Sequence, residues 1–322
     1  MTYLIRTGKH AFFWKEAPIR PLSYILIAAI AISLTASAYA APKNAKVPKD
    51  MVFVEGGCFE MGDPYPQKTI LDGDPDEKPL HNVCVSDFYI GKYEVTRGEF
   101  SKFVEETQYK TQAETGQGCY IIYGGRVWQN QKDLYWERLK QEDNHPVACV
   151  SWNDANEFIK WKTKKTGLKY RLPTEAEWEF AARERGKIMK YSWGVDGDKP
   201  QGNVADESAR RDLPEVFPEK TYWKGYDDGY VFSSPVGSYK PNGLGIYDMS
   251  GSVWEWMNDL YDVDYYKKSP KDDPKGNKTD GTHVRKGGSW ADDWRHQRIA
   301  NRSRSFDFRA RFDLGFRLAM EK

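Results

Sequence analysis

The sequence predicts an α+β domain built from short helices, small strands and much ordered loop. Three capped helix starts alternate with short strand-like runs, two of which fall at 51–61 and 81–90. The chain of 322 residues is rich in aromatic side chains, with 12 Trp, 20 Tyr and 15 Phe, and its aliphatic content is low. These observations indicate a core of aromatic rings and irregular loops, without long regular elements.

The three helix starts follow from capping chemistry. Thr96, Ser151 and Thr174 each place a hydroxyl at the N-cap position with a carboxylate three residues later. That arrangement satisfies backbone N–H groups of the first helical turn, and an apolar stripe at helical spacing follows each cap. Gly167 and Gly186 are predicted to end the second and third helices.

The first forty residues have the layout of a secretory signal. Basic residues precede an apolar run at 21–34, and a small-residue site, Ala38-Tyr39-Ala40, follows it. The run is shorter than the roughly 20 residues that span a bilayer as a helix, which favours cleavage. We therefore predict a signal peptide at 1–40, a linker at 41–49 and one domain at 50–322. The mature protein is expected in the periplasm with no membrane span, and an uncleaved N-terminal anchor is the alternative.

The charge balance argues against nucleic acid as a partner. Lys and Arg total 48 against 47 Asp and Glu, so the formal charge is +1. Nucleic-acid binding depends on a surplus of basic contacts to phosphate, and the sequence offers none.

Four cysteines, Cys58, Cys84, Cys119 and Cys149, all follow the signal segment. An even count in an oxidising compartment favours disulfides over free thiols. Of the three possible pairings, the sequence favours Cys58 with Cys84, on two strand-like segments, and Cys119 with Cys149. A metal site is the competing interpretation, but the spacings are long and no CxxC pair occurs.

Five segments carry a family resemblance. They are RLPTEAEWE at 171–179, NGLGIYD at 242–248, GSVWEW at 251–256, GGSWAD at 287–292 and GFRL at 315–318. Their order and spacing resemble the formylglycine-generating enzyme (sulfatase-modifying factor) family from about Met51 to the C terminus. The resemblance implies a C-type-lectin-like fold.

The segment that carries the family's chemistry differs here. In the family, two cysteines that bind copper and attack the substrate thiol follow the Gly-Gly-Ser segment. Ser289 matches, but Asp292 stands at the first cysteine position and no cysteine follows Cys149. Copper(I) prefers soft thiolate ligands, which a carboxylate cannot replace. Neither copper nor the usual formylglycine mechanism is therefore expected.

Function is expected between residues 287 and 304. Candidate residues of the cleft are Ser289, Asp292, His296 and Arg302, and candidate ligand-contacting residues are Trp290, Trp294, Arg298 and Arg304. Asp292, Asp293 and His296 could hold Mn, Fe or Zn, but such short spacing is weak support for a metal site. We predict that these three residues form a polar recognition rim instead.

The resemblance also implies structural calcium. In the family a segment like 242–247 binds the ion through an Asn side chain and alternate backbone carbonyls, and oxygen ligands suit calcium. The first set maps to Asn242, Gly243, Gly245 and Tyr247, and the second to Asn203, Val204, Asp228 and Tyr230. Glycine turns without an ion are the alternative.

The segment around Glu255 has two interpretations. Trp254 and Trp256 could form a ligand wall with Glu255 as an anchoring acceptor. Alternation along a strand instead favours a core strand in which the two indoles share one face and Glu255 bonds an arginine or a backbone amide. We predict the core strand.

Two functions fit this sequence. The first is a recognition or maturation module that binds an exported polypeptide or small ligand. The second is an oxidoreductase that modifies an exported peptide or metabolite without a thiol. Under the first, Asp292→Ala and His296→Ala leave the biological phenotype largely intact, whereas Trp290→Ala or Arg302→Ala impairs it.

Overall fold

The computed structural model describes residues 46–66, 73–123, 127–195, 199–219, 221–278 and 281–322. The predicted signal peptide and most of the predicted linker lie outside the described residues. The helices of this part are α1 Arg97–Thr107, α2 Trp152–Thr166, α3 Glu175–Ala182 and α4 Glu207–Asp212. In the same residues, no helix is long and apolar enough to cross a bilayer.

The strands are short and are joined by long ordered loops. They are β1 Met51–Val54, β2 Gly57–Met61, β3 His81–Val85, β4 Phe88–Gly91, β5 Cys119–Tyr123, β6 Val127–Gln131, β7 Tyr170–Arg171, β8 Trp254–Leu260, β9 His283–Lys286, β10 Ser303–Ser305, β11 Ala310–Arg311, β12 Leu314–Gly315 and β13 Ala319–Glu321. The α+β class predicted from the sequence is confirmed.

The three predicted helix caps are confirmed. Thr96, Ser151 and Thr174 each accept from the backbone three residues on, and each helix has the reciprocal carboxylate bond of a capping box. Gly167 ends α2 in the left-handed conformation, as predicted. Gly186 does not end α3, which stops at Ala182 and is capped by Arg183.

Within the described residues the strands form four sheets. Their orders are β1-β4-β13-β7, β10-β9-β8-β12, β11-β5-β6 and β2-β3. The second sheet positions the candidate site, because β8 and β9 pair antiparallel while β12 returns from the C-terminal region to pair parallel with β8. Three distant parts of the sequence therefore contribute neighbouring strands to this sheet.

Aromatic rings fill much of the core. Phe100, Phe158 and Phe316 are fully buried and contact one another in series, with ring centroids 5.9 and 5.5 Å apart. The disulfides Cys58–Cys84 and Cys119–Cys149 both form, with the pairing favoured from the sequence. The first joins β2 to β3, and the second joins β5 to the segment before α2.

Candidate functional site around Asp292

Two glycines shape the segment that leads to Asp292. Gly287 and Gly288 follow β9 with φ values of 96° and 69°, in the left-handed region. A Cβ on Gly288 would lie 2.7 Å from the carbonyl oxygen of His296, so a larger residue does not fit there. The tight turn brings Asp292 to the start of β8, where the Trp254 indole donates to it.

Asp292 is buried and held by two donors. Only 6% of the residue is exposed, and its Oδ2 accepts from Trp254 Nε1 at 2.7 Å and from Ser289 Oγ at 2.6 Å. The position that carries a cysteine in the resembling family is thus occupied by a carboxylate that the surrounding residues hold in place. Asp292 and Asp293 are both buried, so of the three residues of the predicted polar recognition rim only His296 has a substantially exposed side chain.

Ser289 lies between two carboxylates. Its Oγ is 2.6 Å from Asp292 Oδ2 and 3.0 Å from Asp313 Oδ2, and a hydroxyl has one proton to donate. Asp313 also accepts two hydrogen bonds from Arg311, at 2.9 and 2.7 Å. Sequence analysis did not identify Asp313 or Arg311, since neither precedes or follows the Gly-Gly-Ser segment closely.

His296 lies beside both acidic residues. Its Nδ1 is 3.6 Å from Asp292 Oδ1 and 3.5 Å from Asp293 Oδ1. Burial acts to lower the pKa of His296, but the two carboxylates outweigh it and the pKa is raised. Burial acts to raise the pKa of Asp293, but His296 and Arg295 outweigh it and that pKa is lowered. His296 and Asp293 therefore stabilise each other's charged forms.

The pKa shift of His296 predicts how stability depends on pH. Because the pKa is raised on folding, the contribution of His296 is fully present below its ordinary pKa of 6.5 and is lost as pH rises through the folded pKa. The stability difference between the wild type and His296→Gln should therefore shrink as pH rises above 6.5. Urea unfolding of both proteins across this range measures it. A difference that stays constant or grows would contradict the arrangement.

Trp290 lies at a cavity next to this site. Its indole is 2% exposed and contacts Phe232 and Phe312, with ring centroids 5.1 and 4.8 Å apart. We call the adjoining space of about 190 Å³ the Trp290 cavity; it is lined by Arg138, Leu139, Lys140, Gln141, Phe232, Ser233, Trp290 and Phe312. Phe232 is 52% exposed, so the cavity has an aromatic side that a ligand can reach.

The structure places the candidate arginines apart from Asp292. Arg298 is buried and pairs with Glu77 at 2.7 Å, and Arg302 is buried and pairs with Glu175 at 2.7 Å. Both contacts hold segments of the fold together, which corrects the expected cleft and ligand roles of these two side chains. Arg304 is exposed and lies over the ring of Tyr261, on a different part of the surface. Trp294 is half-buried.

Glu255 is part of a buried ion pair, as the core-strand interpretation predicted. Its carboxylate accepts from Arg317 Nε and Nη2, both at 2.6 Å, and from Trp178 Nε1 at 2.8 Å. Glu255, Arg317 and Trp178 are all fully buried. This group lies on the face of β8 opposite Trp254 and gives Glu255 a structural role.

The first predicted calcium set does not fit an ion in this arrangement. Asn242 Oδ1 accepts from the N–H groups of Leu244 at 3.0 Å and Ile246 at 3.1 Å, which engages both lone pairs. The carbonyl of Tyr247 accepts from Arg317 at 3.0 Å. Asn242 therefore organises the Gly243–Gly245 turn through internal hydrogen bonds.

The second predicted set contains a carboxylate, Asp228, which the first set lacks. Burial raises the pKa of Asp228 to about 6, with Asp206 adding to the effect, so the ionised form lacks adequate compensation. The Asn203 NH₂ group donates to Asp228 Oδ2 at 3.0 Å and to the carbonyl of Phe232 at 3.2 Å. Asn203 Oδ1 accepts from the Ser234 N–H at 3.2 Å and the Tyr230 carbonyl accepts from Ser208 Oγ at 2.9 Å, so a cation bound here would have to displace both hydrogen bonds.

The fold and the five segments noted in the sequence identify the family of this chain. Residues 37–322 match the model of the sulfatase-modifying factor enzyme 1-like domain, and the chain belongs to this family. The formylglycine-generating enzyme of Streptomyces coelicolor is 33% identical over 296 residues, which cover 84% of this chain and 89% of that protein. The predicted C-type-lectin-like fold of this family is thereby confirmed.

Two further relatives place the chain within the family. The bovine protein named inactive C-alpha-formylglycine-generating enzyme 2 is 33% identical over 243 residues, covering 66% of this chain and 71% of that protein. Among solved structures, PvdO from Pseudomonas aeruginosa is similar with a TM-score of 0.64 and 30% identity, covering 88% of this chain and all of that one.

Proposed function

We propose that this chain is an exported recognition or maturation module that binds a polypeptide or small ligand without copper–thiolate chemistry. One observation carries the proposal. The first cysteine position of the family is occupied by Asp292, and all four cysteines of the sequence are in disulfides, so the chain offers no thiol to copper or to a substrate. The bovine relative named inactive supports the idea that this family includes members without that activity.

The Trp290 cavity supports a binding role. Aromatic side chains at its wall and two exposed basic residues, Arg138 and Lys140, at its rim suit a peptide that carries apolar and acidic groups. Arg138 and Lys140 are the charged members of a lining that otherwise has aromatic, aliphatic and neutral polar side chains. Trp290, which lines the cavity, is two residues from Asp292 in the sequence.

Export is supported by the chemistry of the cysteines. Two disulfides in one domain are typical of an oxidising compartment. Together with the signal-like sequence at 1–40, they favour a periplasmic location for the mature domain.

A second function has one specific observation in its favour. Ser289 Oγ lies 2.6 and 3.0 Å from two carboxylate oxygens and can donate its proton to only one of them at a time, so the other carboxylate is the candidate proton acceptor. An oxidoreductase that modifies an exported peptide or metabolite without a thiol would use such a group. Redox chemistry also requires an electron acceptor, and recognition does not.

A thiol-to-aldehyde assay tests the absence of formylglycine chemistry. The purified mature protein is incubated with a cysteine-containing sulfatase peptide, copper(I) and oxygen, with the Streptomyces coelicolor enzyme as the positive control. We expect no change in peptide mass, because Asp292 cannot form the copper dithiolate or a disulfide with the peptide. Conversion of the peptide thiol to an aldehyde by this protein would overturn the proposal.

Calcium at the second set is part of the proposal. Because a bound cation would compensate the half-buried Asp228 carboxylate, calcium should raise the melting temperature relative to EGTA. At a hundredfold excess over Kd the gain in the free energy of unfolding is about 2.7 kcal/mol. In EGTA, Asp228→Asn should be as stable as the wild type or more so, since it removes an ionised group whose pKa is raised by burial. Calcium should then leave this variant unchanged.

The neighbouring Asp227 supplies the matched control for the calcium experiment. Its carboxylate is largely exposed and pairs with Arg211 at 2.9 Å, so Asp227→Asn should keep the calcium response. Equal melting temperatures of the wild type in calcium and in EGTA would remove calcium from the account.

A further inference from the structure

Arg285 is a buried guanidinium group without a counter-ion. The residue lies on β9 and is 8% exposed, with its Nε donating to Ser303 Oγ at 3.2 Å and its guanidinium over the Trp254 ring at 4.4 Å. Its Nη1 is buried without an acceptor, and Arg285 takes part in none of the ion pairs found among the described residues. A buried donor without an acceptor costs about 1–3 kcal/mol, and more when it is charged.

Other buried arginines of the described residues are paired. Arg183, Arg298, Arg302 and Arg317 are each at most 4% exposed, and each forms an ion pair with a buried glutamate. The fold therefore compensates a buried guanidinium with a carboxylate at those four positions. Arg285 differs from them in position as well, because it is on the Trp254 face of β8 and β9, next to the candidate site.

The two nearest carboxylates are engaged with other donors. Asp313 is bound by both Arg311 nitrogens and Ser289, and Asp292 is bound by Trp254 and Ser289. Both act on Arg285 only at a distance, and burial together with Arg311 lowers its pKa to about 9. An additional anion beside Arg285 would reverse the effect of burial.

Two arginines and several aromatic rings also lie around Arg285. Arg309 and Arg311 both lie close enough to disfavour its positive charge. Arg309 is over the ring of Phe306, which stacks on Phe308 with centroids 5.4 Å apart, and the two phenylalanines are 41% and 40% exposed. An anionic group at Arg285 would therefore have an exposed apolar surface nearby for the rest of a ligand.

From these contacts we propose that Arg285 binds a carboxylate of the ligand, with an apolar part of the ligand against Phe306 and Phe308. This inference rests on the proposed recognition function and names the chemical class of its ligand. A planar carboxylate matches the guanidinium fork in two parallel hydrogen bonds, and the source is either a peptide C terminus or a small organic acid.

Calorimetric titration of the mature protein tests the assignment. The probes are N-acetylphenylalanine, which models a peptide C terminus, its C-terminal amide, and benzoate, which models a small acid. N-acetylphenylalanine should bind at least about tenfold more tightly than the amide, because only the acid makes charge-assisted hydrogen bonds. Benzoate binding as tightly as N-acetylphenylalanine identifies a small acid as the source, and weaker benzoate binding identifies a peptide terminus.

Variants of Arg285 separate binding from folding. Arg285→Gln should lose the preference for the acid while its melting temperature stays equal or rises, because an unpaired buried charge has been removed. Arg285→Lys keeps the charge without the planar fork and should bind the acid with intermediate affinity. Arg211→Gln, an exposed arginine on α4, is the matched control and should bind as the wild type does.

Three results would overturn the carboxylate site. The first is equal affinity for N-acetylphenylalanine and its amide, and the second is unchanged affinity for N-acetylphenylalanine in Arg285→Gln. The third is failure of both N-acetylphenylalanine and benzoate to bind. None of these results would contradict the proposed recognition function. That function is tested separately by recovery of the partner with Phe232→Ala, because Phe232 lines the Trp290 cavity.

Discussion

Replacing Arg317 by methionine is expected to lower the free energy of unfolding by roughly 3–5 kcal/mol. Arg317 makes two hydrogen bonds of 2.6 Å to Glu255 and donates to the carbonyls of Gly91 and Tyr247, both at 3.0 Å. Removal of the guanidinium leaves a fully buried carboxylate with only Trp178 as a donor. Urea unfolding followed by tryptophan fluorescence measures the change.

Two controls define what this loss means. Arg304→Met removes an exposed arginine and should change the free energy of unfolding by less than about 0.5 kcal/mol. A double variant, Arg317→Met with Glu255→Met, removes both charges and should recover part of the stability, because the unpaired carboxylate is gone. An Arg317→Met protein as stable as the wild type would show that the Glu255 network does not hold β8 in place.

Substitution of Phe232 by alanine is expected to reduce partner binding about thirtyfold, which corresponds to about 2 kcal/mol. Phe232 is 52% exposed and contacts the buried Trp290 ring edge to face at 5.1 Å, so a partner that enters the Trp290 cavity must touch it. The measurement is the fraction of the exported partner that is recovered with the tagged mature protein. Melting temperature should change little, because the ring is half in solvent.

Phe53 provides the matched control for Phe232. It is 44% exposed on β1, away from the Trp290 cavity, and Phe53→Ala should recover the partner as fully as the wild type does. Trp290→Ala and Arg302→Ala are less informative than the sequence suggested, since both residues are buried and their loss also reduces stability. Equal recovery with Phe232→Ala and the wild type would exclude the cavity as the contact surface.

Local chemistry made the helices and disulfides predictable from the sequence. The caps at Thr96, Ser151 and Thr174 depend on side chains three residues apart, so the sequence contains both partners of each bond. The end of α3 was not predictable in the same way. Arg183 ends it while donating to Glu179 and to the carbonyl of Gly62, and the latter is 121 residues distant in sequence.

The candidate site depends on long-range contacts that the sequence does not reveal. The Gly-Gly-Ser segment identified Ser289 and Asp292, yet their partners Trp254 and Asp313 are 38 and 24 residues away. The same limit applied to Arg298 and Arg302, whose partners Glu77 and Glu175 lie 221 and 127 residues away. An arginine-rich run predicted a ligand surface, but tertiary contacts turned two of its members inward.

The most direct test of the proposed function is the intact mass of the exported partner. The tagged mature protein is used to recover the partner from periplasm, and the mass of that species is compared with its mass in a strain that lacks this gene. We expect recovery that depends on Phe232 and a partner of unchanged mass in both strains. A mass difference that depends on the gene would contradict recognition without chemistry and would identify the modification that this domain performs.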